Sequence, residues 1–316
     1  MNKNPTNYPT SVEKPALDLR LVAILLCSYN GEKYIKEQLI SIKNQTFKNW
    51  ELHISDDGST DNTISIINDF KKSNADLNII LYNGPQKGYC QNFLSLIKRV
   101  NTEANYFSLC DQDDIWSTAK LEEALIHCPL ETNRKLLYFS KSEAFINKKH
   151  VCFIPKKVRR LSFNNALFQS IAQGHAMLFN KPTKNLISKI DKMPASHDWL
   201  LYQLVTGCDG IIIYNKNCLS KYRIHANNAV GANGKIQQKA KRLLRRDFNK
   251  SFYKNIECLY SIREEIQETH RDTLNAYVNL HELGFIQRLK SLIKHPPYRQ
   301  SRIETAVAFL NFLLHP

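Results

Sequence analysis

From Leu21 the chain alternates short unbroken apolar runs with longer stretches whose apolar residues recur at helical spacing. "LVAILLCSY" stays apolar almost to its end, the pattern of a strand covered on both faces. In "EKYIKEQLISIKNQ", Tyr34, Ile35, Leu39 and Ile42 fall on one helical stripe. "WELHISDD" alternates Trp50, Leu52 and Ile54 with polar residues, a strand signal, and "STDNTISIINDFKK" offers Ser59 or Thr60 as the N-cap of a helix. "LNIILY" predicts a third strand. "GYCQNFLSLIKRV" predicts a third helix with Tyr89, Phe93, Leu96, Ile97 and Val100 on its stripe, and "ANYFSLC" a fourth strand.

Strand and helix alternating at this spacing predict right-handed βαβ units, hence an α/β protein with a mostly parallel sheet flanked by helices. Such sheets bind ligands in the crevice outside the carboxyl ends of their strands. Here those ends read "CSYNGE", "SDDGSTD", "YNGPQKGY" and "CDQDD", so polar, acidic and glycine-bearing residues gather on one rim. After Lys120 the pattern loosens through helix "KLEEALIHC", strand "KLLYFS" and the basic "KKVRR". A second ordered patch runs from "AQGHAMLFN" through "SHDWLLYQLV" and "GIIIY" to "SKYRIHANNAVGAN", and charged helix begins with "KIQQKAKRLLRRDFNK". The expected organisation is a flexible leader over 1–19, one α/β domain over 20–234 and a basic helical C-terminal extension over 235–316.

A chain of 316 residues with 43% hydrophobic content supports a sizeable core. Its 44 Lys and Arg against 29 Asp and Glu, net +15, suit an anionic partner: nucleic acid, a nucleotide or an acidic membrane surface. The acidic rim has the wrong sign for nucleic acid. The eight scattered cysteines form no C-x-x-C pair and read as reduced core thiols of a cytosolic protein. The leader lacks the apolar middle of a signal peptide, and no run reaches the roughly 18 to 20 apolar residues of a membrane span. A cytoplasmic protein, peripheral on the inner face of the membrane, is expected.

Candidate chemistry centres on "YFSLCDQDDIW", where Asp111, Asp113 and Asp114 follow an apolar run. Carboxylates this close raise one another's cost of ionisation, which a cation relieves. Asp111 and Asp113 lie two apart, so in an extended segment they project to one face and reach one cation. Oxygen ligands favour Mg²⁺ or Mn²⁺, which complete their shells with phosphates, and the register of a calcium loop is absent. A solvated acidic turn capping the helix near Ser117 is the alternative. In "SDDGSTD", Asp56 or Asp57 is suited to accept from a pyrimidine N–H or ribose hydroxyls, while Gly58, Ser59 and Asp61 read as a turn capping the next helix. Ser28 offers a hydrogen-bonding group, and Tyr29 a stacking face or a packing residue. Neither G-x-x-x-x-G-K-[ST] nor G-x-G-x-x-G occurs, so a diphosphate would be held through metal, not a glycine cradle.

In order along the chain, "CSYNGEKYIKEQLISIKNQTFKNWELHISDDGSTDNT", "GYCQNF" and "CDQDDIW...KLE" resemble motifs of the family 2 glycosyltransferases with the GT-A fold. "SHDWLLYQL" and "YRIHANNAVGAN" resemble its rhamnosyltransferase-like branch, and the match spans about Leu21 to Gly234. The resemblance implies a GT-A type sheet and an inverting transfer of sugar from a nucleotide-diphosphate donor to a hydroxyl of a growing, lipid-linked, cell-surface polysaccharide. It points to dTDP-rhamnose as donor, with UDP-hexoses behind it, and to Mn²⁺ or Mg²⁺ as cofactor. Carried onto this sequence, it implies that Asp56 or Asp57 contacts the nucleotide, that Asp111 lies near the ribose and that Asp113 holds the metal. Ser28, Tyr29, Asn30, Glu32, Lys87, Asn92 and Gln112 join the expected donor site. Asp198 matches the catalytic base, and His225 falls where a histidine meets the metal or diphosphate. Asp114, Trp116, His197, Trp199, Arg223 and Lys221 are further candidates for acceptor or diphosphate contact, with Trp199 an acceptor platform or a core residue.

Ser196 is expected to cap the helix over "HDWLLYQLV"; the helix N-terminus then favours the ionised form of Asp198, and a nearby diphosphate opposes it. A sugar-phosphate nucleotidyltransferase is the rival enzyme, but it wants a glycine-rich N-terminal loop that is absent. The extension is expected to dock on the anionic cytoplasmic leaflet, with "FIQRLKSLIK" and "AVAFLNFLL" adding apolar contact, or else to cap the catalytic domain or self-associate.

Overall fold

The computed structural model describes residue 17 and residues 19–225 and 246–315. Most of the leader, the boundary expected at 234/235 and the basic run up to residue 245 lie outside the described residues. Four strands, β1 (Val22–Ser28), β2 (Trp50–Asp56), β3 (Ile79–Asn83) and β4 (Tyr106–Asp111), pair in parallel in the order β3-β2-β1-β4. Helices α1 (Ile35–Lys43), α2 (Thr63–Lys72) and α3 (Tyr89–Arg99) connect them, as the alternation predicts.

The start of α2 is a correction: its N-cap position is Asn62, not Ser59 or Thr60. The Asp56 carboxylate captures the Gly58 and Ser59 N–H groups at 3.1 and 2.7 Å, and Asp61 Oδ1 accepts from the Thr63 N–H at 3.0 Å, doing the capping from further along.

The second half adds β5 (Ile115–Trp116), α4 (Lys120–His127), β6 (Leu136–Ile146), β7 (Lys149–Ile154) and α5 (Phe163–Phe168). It continues with β8 (Met177–Asn180), α6 (Lys181–Ser188), α7 (His197–Gly207) and β9 (Ile211–Arg223). The nine-stranded sheet runs β3-β2-β1-β4-β8-β6-β9-β5, with β7 on β6. β6 and β9 are parallel, whereas β5, β7 and β8 join antiparallel.

Two-residue alternation in β1 divides the core. Ala23, Leu25 and Cys27 face the side of α3 with Phe93, Leu96 and Ile97; Val22, Ile24 and Leu26 face α1 and α4 with Ile35, Leu39, Leu121 and Leu125. Each fully buried aliphatic side chain stabilises by about 1.5–3 kcal/mol, and burial on both faces explains why β1 carries no charge before its end.

Helices α8 (Arg246–Ser261), α9 (Glu268–Val278), α10 (Phe285–Lys294) and α11 (Arg302–Leu314) follow. Their Phe252, Leu259, Leu274, Tyr277 and Phe312 share a continuous cluster with Phe163, Phe168 and Trp199. The Phe168 ring lies 5.3, 5.0 and 5.5 Å from the rings of Phe252, Tyr277 and Phe312. These helices therefore cap the α/β layer, the second of the three arrangements expected for the extension. Five of the eight free cysteines are buried; Cys218, on β9, is exposed and corrects its expected place in the core. Among the described residues no helix is long and apolar enough to cross a membrane.

Strand order reverses at β1: β2 lies on one side and β4, next in the other direction, on the opposite side. A crevice opens at such a switch point, outside the carboxyl ends of β1 and β4, where Cys27 pairs in register with Asp111.

Candidate active site

A cavity of about 940 Å³ occupies that crevice. Its walls include Ser28, Tyr29, Asp57, Asn92, Asp111, Gln112, Asp113, His197, Asp198 and Trp199, so ten of the residues singled out in the sequence converge there.

One wall is built from the β1 and β2 ends. Of the two carboxylates left open, Asp57 lines the cavity, and Asp56 does not. Asp56 Oδ2 accepts from Ser28 Oγ at 2.7 Å while Oδ1 holds the Gly58–Ser59 turn, so it staples the rim. Asp57 accepts from the Gln86 and Gly88 N–H groups at 2.6 and 2.7 Å, which shapes the loop opposite. Gln112 clamps the next turn: its Oε1 accepts from the Tyr29 N–H at 2.9 Å and its Nε2 donates to the Tyr29 carbonyl at 3.0 Å. At Gly31 a Cβ would stand 2.2 Å from Gln112 Oε1, so a larger residue there displaces the clamping amide. Asn92 is buried and bound to Ser55.

Three expected donor contacts stand apart from the cavity wall. Asn30 accepts from the Thr60 N–H at 2.9 Å and Glu32 from Asn62 at 2.8–3.0 Å; both lace the β1–α1 loop to the β2–α2 loop and stand outside the cavity lining. Lys87 is exposed on the loop that carries Gln86 and Gly88, also outside the lining.

The acidic motif splits by face. Asp111 and Asp113 line the cavity, whereas Asp114 is wholly buried beneath it and cannot touch an acceptor. Asp114 Oδ1 accepts from the Arg223 N–H at 3.2 Å, and Oδ2 lies 3.6 Å from His175 Nδ1. Trp116 is likewise corrected: it is buried under the Lys120 ammonium, 3.6 Å from its ring centroid. Arg223 stands behind the rim, against Asp113. Its guanidinium donates to the Asp113 carbonyl at 3.0 Å and pairs with Glu37. Lys221 is exposed on β9, opposite Ile115 of β5.

His225 Nε2 reaches Asp113 Oδ2 at 2.8 Å, bringing together the two residues expected at the metal. Composition and order along the chain do not point to His175 or Lys120. Asp111, Asp114 and His175 each offer an atom within 4.8 Å of one another. Burial and Lys120 hold His175 down to about 3, so it is a neutral imidazole; burial is the main cause that lowers Lys120 to about 7. A lysine four residues after Trp116 is the one signal the sequence offers.

Burial, with the Asp113 and Asp198 carboxylates, pushes Asp111 up to about 7, and Asp114 is raised well above its usual range by burial and its two neighbours. Asp114 Oδ2 is buried with no hydrogen-bond partner among the described residues. This acidic cluster, with a donor set of carboxylate oxygens and imidazole, fits a divalent cation.

Asp198 stands in the first turn of α7. Ser196 occupies the N-cap position, but its hydroxyl donates to Asp198 Oδ1 and does not cap the helix, a correction to the expected cap. Oδ1 also accepts from the Trp199 N–H at 2.7 Å, and no protein donor among the described residues reaches Oδ2. His197 is buried, stacked 4.2 Å from Phe93 and packed against Gly174, where a Cβ would meet Nε2 at 3.0 Å. Trp199 is both wall and core: it lines the cavity, and its indole N–H donates to the Ala166 carbonyl at 2.6 Å. Tyr89, expected on the inward stripe of α3, is 43% exposed and lines the cavity.

Strand order, switch point and acidic rim together define a sugar-transferase fold of the GT-A type. Two solved structures share it across 92% of this chain at 14% identity and a TM-score of 0.54. They are S. aureus TarS 1-349 in complex with UDP-GlcNAc (89% of that chain covered) and the mannosyltransferase PcManGT from Pyrobaculum calidifontis in complex with GDP-Man and Mn²⁺ (78%). The sequence profile described as glycosyl transferase family 2 matches residues 23–127. The chain is 34% identical over 228 residues to the dTDP-rhamnosyl transferase RfbG of Shigella flexneri, 69% of this chain and 78% of that one. It is 31% identical over 219 residues to the UDP-Glc:alpha-D-GlcNAc-diphosphoundecaprenol beta-1,3-glucosyltransferase WfaP of Escherichia coli, 68% and 81%. The chain belongs to glycosyltransferase family 2, in a rhamnosyltransferase-like group.

Proposed function

We propose that this glycosyltransferase moves rhamnose from dTDP-rhamnose, with inversion and with a divalent metal, to a hydroxyl of a lipid-linked glycan at the cytoplasmic face of the membrane. The observation that carries the reading is that Asp198 and the Asp111–Asp113 rim share one cavity with Asp57 and Tyr29. The likeness to RfbG supports the donor, and the lipid-linked acceptor has its support in the likeness to WfaP. That second likeness also supports a UDP-hexose donor as the alternative.

In this reading Asp57 and Tyr29 receive the nucleotide, and Asp111 stands near the ribose. Asp113 and His225 would hold Mn²⁺ or Mg²⁺, which when bound offsets the charge developing on the leaving diphosphate. Asp198 removes the proton of the acceptor hydroxyl as its oxygen attacks the anomeric carbon; the bond from that carbon to the diphosphate oxygen breaks, and nucleoside diphosphate leaves from the opposite face. Because Ser196 and the Trp199 N–H both hold Oδ1, the carboxylate is oriented with Oδ2 open to the acceptor. The test is a donor screen on the full chain with Mn²⁺ or Mg²⁺, scoring release of dTDP, UDP or GDP. Release of dTDP from dTDP-rhamnose alone supports the donor; release of UDP in its place turns the reading to a hexose.

A further inference from the structure

Helix α11 is apolar toward water as well as toward the core. Ile303, Leu310 and Leu314 are 50–58% exposed, and with half-buried Val307 they are spaced to share one face. Polar groups sit on the inward side among Ala308 and Phe312: buried Glu304 pairs with Arg299 at 3.1 Å, and Asn311 donates to Asn249 at 2.6 Å. Neighbouring α10 also turns apolar residues outward, with Phe285, Ile286 and Ile293 55–68% exposed beside exposed Lys290 and Lys294. A helix packed on a core normally keeps its large apolar side chains from water, so this face is made to be covered.

Charge identifies the cover. Between Phe285 and Leu314 the exposed charges are Lys290, Lys294 and Arg302; the only acid, Glu304, is buried and paired with Arg299. A two-fold contact through this face would bring Lys290, Lys294 and Arg302 of both copies together, with no exposed acid between Phe285 and Leu314 to answer them. An anionic lipid surface answers both features, taking the apolar stripes at the acyl boundary and the cations at the headgroups. We propose that the α10–α11 face docks the enzyme on an anionic bilayer. The inference rests on the proposed lipid-linked acceptor for its purpose, though not for its physics.

The underside of this face reaches the active site. The Arg299 guanidinium donates to the Phe168 carbonyl and the Gln300 N–H to Gln169 Oε1 at 2.9 Å, gripping the segment that enters the cavity wall at Ser170. Docking would thus present the cleft to an acceptor held at the same surface.

The experiment floats the full chain on vesicles of equal parts phosphatidylglycerol and phosphatidylcholine, and on phosphatidylcholine alone. Wild type should float on the anionic vesicles. The exposed-face variant Ile286→Ser/Ile293→Ser/Leu310→Ser should lose binding at least about tenfold with its melting temperature kept, and Lys290→Glu/Lys294→Glu should weaken binding to anionic vesicles only. Nucleoside diphosphate release with a water-soluble acceptor should match wild type in both variants. Wild type that fails to float, a triple variant that floats equally well, or a dimer dispersed by the triple substitution without any lipid binding would overturn the proposal. Flotation without release from any donor would instead sink the transfer reading and leave the docking surface standing.

Discussion

Replacing Gly31 by alanine tests whether the donor wall is held as described. The added Cβ would stand 2.2 Å from Gln112 Oε1 and 2.6 Å from its Cδ, so the amide must leave. It takes with it the two hydrogen bonds to the Tyr29 backbone, at 2.9 and 3.0 Å. At about 1 kcal/mol per bond, Gly31→Ala should cost roughly 2 kcal/mol, a fall of about 3 °C in Tm for a chain of 316 residues. Gln112→Ala removes the same two bonds and leaves room for the methyl group. The double variant should therefore cost about as much as Gln112→Ala alone, a coupling of about 2 kcal/mol. Thermal melts of the four proteins measure this, and the KM for donor should rise in all three variants as the Tyr29 turn loosens. Strictly additive costs would refute the clamp.

Asp198→Asn should keep donor binding and lower transfer by about 10²–10⁴-fold; loss of binding instead would make Asp198 structural. Phe252→Ala, which empties a fully buried site where α8 meets Phe168, should cost about 3–5 kcal/mol and leave one unfolding transition; two transitions would show that the cap folds apart from the sheet. His175 is held down to about 3, against about 6.5 in an unfolded chain. Below pH of about 6.5 the unfolded state takes up a proton that the folded state refuses, so stability falls as pH falls, by up to about 1.4 kcal/mol per pH unit. Asp111, pushed up to about 7, acts with the opposite sign between about 4 and 7, so the readout is the difference between wild type and His175→Gln, whose profile should lack the His175 contribution; identical profiles would refute the neutral imidazole.

The first half of the fold was legible because its physics is local. β1 is covered on both faces and reads as unbroken apolar sequence, and the stripe of α1 reads at helical period. The rim followed from strand ends. What escaped depends on tertiary pairing: β5 is two residues long and exists only against β9, which carries Arg223 back to Asp113 across 110 positions. The acids of "CDQDD" could not be sorted without knowing that the chain turns after Asp111, which leaves Asp113 in the cleft and Asp114 in the core. Tyr89 shows the converse, a stripe position exposed because a cavity opens beneath it. His175 gave no motif; its role comes from burial beside Asp114.

Binding of the nucleoside diphosphate identified in the donor screen, titrated calorimetrically with and without Mn²⁺ into wild type and Asp113→Ala, bears most directly on the acidic rim as a metal-assisted donor site. The account predicts binding to wild type that strengthens markedly when Mn²⁺ is present, and no such gain in the variant. Equal metal enhancement in both proteins, or none in either, would contradict it.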